Sequence, residues 1–162
     1  MSVDLSIKIT TPIHLRRLLP DVARILADLL GVKTVPTLTL DVLQGGRRLH
    51  AETDELRDRS SHFFLVSIRG ERETVGLQTD GEHLNIVMAA MRTPLEYGLG
   101  AAVAIAVARE FAGRIQDDGQ FFFPSVEATS EEMFNEIRVQ SEIPPHSLRE
   151  AAAELRLRGN YE

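Results

Sequence analysis

Apolar and polar positions alternate at the start of the chain, with Leu5, Ile7 and Ile9 on one side, and this predicts a strand over 3–9. Thr11-Pro12 reads as a helix start, because Thr can cap free N–H groups and Pro tolerates the first helical position. Leu15, Leu18, Leu19, Val22, Ile25, Leu26 and Leu29 follow at helical spacing, and Gly31 ends the run. Pro20 interrupts that pattern, so either one helix kinks or two meet there. Over 37–43 the period returns to two, with Leu38, Leu40 and Val42 inward and Thr39 and Asp41 outward, as in a strand with one buried face. Gly45-Gly46 then offers a tight hairpin turn into 47–51. The charged stretch 50–61 has no period and is expected to be a long exposed loop. Residues 62–68 are almost all apolar and predict a central strand, followed by strands over 73–79 and 82–91 joined at Asp80-Gly81.

The second half of the chain is punctuated by capping boxes, in which a Thr or Ser and a Glu three residues later each satisfy a backbone donor. They are TPLE from Thr93, TSEE from Thr129 and SLRE from Ser147. Behind the first, 99–111 is rich in Ala and Val with little polar surface, which predicts a helix buried on all sides. The helices behind the others should bury Met133, Phe134 and Ile137, then Leu148, Ala151 and Leu155, with Pro144-Pro145 as a stiff separator. Between the first two boxes, GRIQDDGQFFFP reads as a helix stop at Gly113, a strand over 114–117, an Asp118-Gly119 I′ turn and a returning strand over 120–123. On that reading turn geometry accounts for Asp118, and Asp117 is left to point elsewhere. The expected fold is a single α+β domain over 1–162. It has two layers, a mainly antiparallel meander packed against the helices that begin near Pro12 and Pro94.

Composition narrows the chemistry. An apolar share of 43% suits a folded domain, and the formal charge of −6 disfavours nucleic acid and anionic membranes as partners. No cysteine is present, which excludes disulfides and thiolate ligands and leaves zinc held by His and carboxylates open. Neither a signal peptide nor a bilayer span is read in the chain, so a cytoplasmic location is expected. No nucleophile elbow, phosphate loop or HExxH pair occurs, and His14, His50, His62, His83 and His146 never fall at metal-ligand spacing. No catalytic, cofactor or metal residue is therefore assigned. GLGAAV, from Gly98, lacks the third glycine of a dinucleotide loop, and close helix–sheet packing explains its glycines better. The acids Asp117, Asp118, Glu127, Glu131 and Glu132 gather late in the chain, while Glu52, Asp54, Glu55 and Asp58 fill the loop. They form either a solvated surface or an acidic face for a basic partner.

The segment AAVAIAVAREFAGRIQDDGQFF, from Ala101 to Phe122, resembles immunity proteins of polymorphic and type VI secretion toxins, in which an Ala-rich helix runs through Gly into a strand and an acidic turn. The resemblance covers about a seventh of the chain. It implies a cytoplasmic bacterial protector that binds one cognate toxin and occludes its active site, without catalytic residues of its own. The contact residues expected on that basis are Glu52, Asp54, Glu55, Asp58, Asp117, Glu127, Glu131 and Glu132, set against a basic surface of the toxin. The alternative is an enzyme or small-molecule binder with a site between the sheet and the 50–61 loop, using Asp117, His62 and His83 with Arg47 and Arg48 as anion contacts. A homodimeric scaffold with an exposed sheet face is a third.

Overall fold

The stretches of period two become strands and those of helical period become helices. In chain order they are β1 (Leu5–Lys8), β2 (Ile13–His14), α1 (Leu15–Leu30), β3 (Leu38–Gln44), β4 (Arg47–His50), β5 (Glu55–Leu56) and β6 (Phe63–Ile68). There follow β7 (Thr74–Thr79), β8 (His83–Val87), α2 (Pro94–Phe111), β9 (Ile115–Gln116), β10 (Glu127–Ala128), α3 (Ser130–Ile137) and α4 (Leu148–Ala153). This computed structural model describes residues 5–50, 55–56, 63–88, 92–120, 122–123 and 125–158. Eight strands form one antiparallel sheet in the order β10-β9-β1-β8-β7-β6-β3-β4, and β2 pairs with β5 in a separate ribbon. The fold is α+β, as the alternating and helical periods predict. The expected meander is present over β3, β6, β7 and β8, but the first strand of the chain is inserted between β8 and β9.

Register explains where the core lies. Residues paired across an antiparallel sheet share a face, so Leu5, Ile86, Leu77, Phe64, Val42 and Leu49 form one row across six strands. The row is buried from Leu5 to Val42 and emerges only at Leu49, which is 47% exposed at the sheet edge. On the opposite face Val87, Gly76, Leu65 and Asp41 form the matching row. Phe63 lies flat over Gly76 there, where a Cβ would collide with the ring.

α1 packs its apolar stripe against α2 and β3, and α2 also touches β1, β7, β8, β9, α3 and α4. Every residue of α2 from Leu95 to Ala108 is buried, which is why its sequence shows no polar face. Small residues make that position sterically feasible. Gly98 faces Leu155 of the C-terminal segment, with room for a Cβ only 2.9 Å from Cδ1, and Gly100 faces Met88 beside the sheet. All three capping boxes form: Thr93, Thr129 and Ser147 accept from the backbone N–H of Glu96, Glu132 and Glu150.

Three local expectations are corrected. The first helix starts at Leu15 and not at Thr11-Pro12, because Ile13–His14 pairs with Glu55–Leu56. It runs unbroken through Pro20, so the two-helix alternative falls. The Asp118-Gly119 hairpin does not form. The left-handed residue is Gln120 (φ 53°), whose N–H bonds to the Asp117 carbonyl at 3.0 Å, and β9 pairs with Glu127–Ala128 instead of 120–123. By contrast, Gly45 and Gly46 both have positive φ (53° and 76°) between Gln44 and Arg47, as a two-residue I′ turn requires. Of the expected 50–61 loop, His50 ends β4 and Glu55–Leu56 is a strand, while 51–54 and 57–61 lie outside the described residues.

Candidate functional site

Asp117, which the turn reading leaves to point elsewhere, is fully buried and cannot face a partner, which corrects its place among the contact residues. Its Oδ2 accepts the Phe122 N–H at 2.8 Å, and its own N–H donates to the Val126 carbonyl at 2.8 Å. The carboxylate thus ties Phe122 back into the core, where its ring meets that of Tyr97 edge-on at 5.5 Å. Asp117→Ala should therefore lower stability by about 2 kcal/mol, the usual cost of leaving a buried donor unmet. Urea unfolding measures this, and an unchanged midpoint would return Asp117 to the surface reading.

The other late acids are exposed and share one edge. Glu127 stands on the edge strand β10, and Glu131 and Glu132 stand in the first turn of α3, where negative charge also suits the helix dipole. Each already has a neighbour. Arg114 reaches Glu127 at 2.9 Å, Arg109 reaches Glu131 at 3.4 Å, and the Thr129 hydroxyl reaches Glu132 at 3.1 Å. Exposed pairs of this kind hold about 0–1 kcal/mol, so a basic partner can displace the arginines at small cost. Glu55 sits in β5 opposite His14, on a different element from these acids. Glu52, Asp54 and Asp58 lie outside the described residues.

Among the described residues, the side chains named for the enzyme alternative are not brought into one site. Asp117 is committed to its loop, and His83 lies on β8 with Nδ1 3.7 Å from Asp80 Oδ1. The Asp80 carboxyl is itself held below its ordinary range, first by the Glu82 N–H and also by the His83 N–H, against the opposing effect of burial. Arg48 is spent on Asp41 and on the Ser67 hydroxyl at 2.6 Å, which in turn contacts Thr74 at 3.1 Å. Arg47 is exposed on the edge strand, and His62 lies outside the described residues. Among the described residues no group of three His, Asp or Glu side chains converges as a metal site. No helix among them is long and apolar enough to cross a membrane.

Two arrangements escaped the sequence reading. In the first, Arg149 of α4 forks onto the buried Glu73, with Nη2 2.9 Å from Oε2 and 3.0 Å from Glu71, and the Thr93 hydroxyl donates to Glu73 at 3.1 Å. Burial alone would raise the Glu73 pKa. Its own backbone N–H, the Arg149 fork and Thr93 outweigh that and hold the carboxyl below its usual range. Because 76 residues separate Glu73 from Arg149, no local pattern could reveal the pair.

The second arrangement is a groove between α1 and the C-terminal end of α2, made of two adjoining cavities of about 280 and 250 Å³ that share Asp21 and Glu110. Its floor is apolar, with Ile13, Leu18, Ile25 and Ala106 all buried. Arg24 pairs with Asp21 at 2.6 Å on the rim. Helical periodicity could have put Arg17, Asp21 and Arg24 on one face of α1, but the opposite wall comes from a helix far along the chain.

No family model, no curated protein and no solved structure matches this chain.

Proposed function

We propose that this chain is an immunity-type protein that binds a cognate bacterial toxin and neutralises it by occluding its active site. The observation that carries the reading is the exposed acidic edge of Glu127, Glu131 and Glu132, mounted on a sheet strand and a capped helix turn and not on a mobile tip. Rigid mounting lowers the ordering cost of binding, and carboxylates in salt-bridged but exposed positions can exchange their arginines for those of a basic groove. The acidic total adds long-range attraction for such a partner. The wider resemblance of the Ala101 to Phe122 segment to immunity proteins points the same way.

The test has two stages. The tagged full-length chain is used to capture proteins from its native lysate through a high-salt wash, and the retained protein is then expressed alone and together with the chain. The expected result is a single stoichiometric partner that arrests growth alone and is harmless when co-expressed. Lysine at Glu131 and Glu132 together should weaken the complex by about 100-fold or more, since like charges across an interface cost several kcal/mol. A partner that is not toxic, or protection that survives the double reversal undiminished, defeats the proposal.

A further inference from the structure

We propose that the groove between α1 and α2 binds a small aliphatic α-amino acid, with Arg17 at the ligand carboxylate and Glu110 at its ammonium. The inference does not rest on the toxin reading. It starts from an imbalance in how the groove's charges are satisfied. Arg24 is paired with Asp21 and Arg109 with Glu131, whereas Arg17 and Glu110 line the same groove and carry no ion pair among the described residues. Asp21 and Glu110 stand on facing helices and both line both cavities, so the groove presents two carboxylates to one space. Arg24 already answers Asp21, so Glu110 is the carboxylate left to attract a cation in that space. An ammonium group fits that position and offers three donors.

Arg17 supplies the opposite charge on the α1 wall, with a planar fork suited to a carboxylate. The cavity they line is floored by Ile13 and Leu18 and walled by Phe111, with Thr11 and His14 also on its lining, and the apolar floor suits an aliphatic side chain. The cavity of about 280 Å³ lies at the small end of ligand pockets, the size of a single amino acid and not of a nucleotide. A simple anion would meet the two carboxylates, and a simple cation would meet Arg17. A zwitterion satisfies both.

The experiment is an NMR titration of the isotope-labelled full-length chain with L-leucine, N-acetyl-L-leucine and L-leucinamide. The expected result is saturable shifts at the amides of Arg17, Leu18 and Glu110, half complete near about 1 mM, as a partly exposed site for so few atoms allows. Removing the ligand's ammonium by acetylation, or its carboxylate by amidation, should each weaken binding about tenfold or more, one lost charge-assisted contact. Glu110→Gln should abolish discrimination against the acetylated ligand, and Arg17→Gln discrimination against the amide. Both side chains are on the surface, and the same spectra report whether each variant is folded. Absence of saturable groove shifts up to about 10 mM, well above that expected affinity, overturns the proposal. Equal shifts from all three compounds overturn it as well.

Discussion

Replacing Arg149 with Met should destabilise the fold by about 3 kcal/mol near neutral pH, with a deficit that shrinks toward acid. The reason lies in Glu73, which is fully buried while the arginine that neutralises it stands 44% exposed on α4. Breaking a buried pair from one side leaves an uncompensated charge, and that costs more than the pair contributes. The water-facing side of Arg149 places the effect at the lower end of the usual range. In the native chain the Glu73 carboxyl is held below its ordinary value. Its contribution is therefore fully present above the unfolded value of about 4.3 and is lost as pH falls through the lower folded value. Without Arg149 only the backbone N–H and Thr93 oppose burial, so the folded pKa rises from its native value. The penalty then grows as pH rises through that new value. Urea midpoints between about pH 4 and pH 7.5 should show the variant gaining on the native protein toward acid. Glu73→Gln removes the charge and keeps the shape, so Arg149→Met in that background should cost much less. A variant with the same deficit at every pH would show that Glu73 is not the group responsible.

Gly100→Val should cost about 3 kcal/mol, or roughly 10 °C in Tm for a domain of this size. Gly100 lies in the buried helix α2, where an added Cβ would overlap Met88 Sδ and come within 3.1 Å of Cγ and 3.3 Å of Cε. Helix propensity alone favours the change by a few tenths of a kcal/mol, because glycine is the poorer helix former. Overpacking wins, since Met88 is itself fully buried and a close-packed interior leaves few voids for a displaced side chain. The mechanism has a signature. Met88→Ala opens space, so the double variant should recover about half of the Gly100→Val deficit, a coupling that independent sites would not show. Additive losses would locate the strain elsewhere in α2.

These two sites also mark where sequence reasoning reaches and where it stops. The paired charge of Glu73 and Arg149 stabilises the packing of the short helix α4, yet neither residue stands out in its own neighbourhood. Glu73 reads as the polar start of a strand and Arg149 as an interior position of a capping box. The role of Gly100 was partly legible. Its place in a run with no polar face implied close packing, although the partner, Met88, was not. The same split holds for the acids. Glu131 and Glu132 are surface residues on a capped turn, as TSEE suggests, but Asp117 turned inward because the loop behind it needed an acceptor for the Phe122 N–H.

Neighbours within a few residues were enough to give the alternation of β3, the I′ turn at Gly45-Gly46, the three capping boxes and the all-round burial of α2, but not the start of α1 or the turn at Asp118-Gly119. Those outcomes depend on side-chain period and on local donors and acceptors, which the chain carries in order. Only the tertiary structure decided that β1 lies between β8 and β9, that Asp117 serves the core, that Arg109 and Arg114 attend the acidic edge, and that two helices distant in sequence enclose a groove. Apart from the Asp117 bond to Phe122, which spans five residues, each of these joins residues far apart along the chain. Such contacts form when apolar rows from many elements are buried together, and the charges that meet there are chosen by that burial and not by sequence spacing.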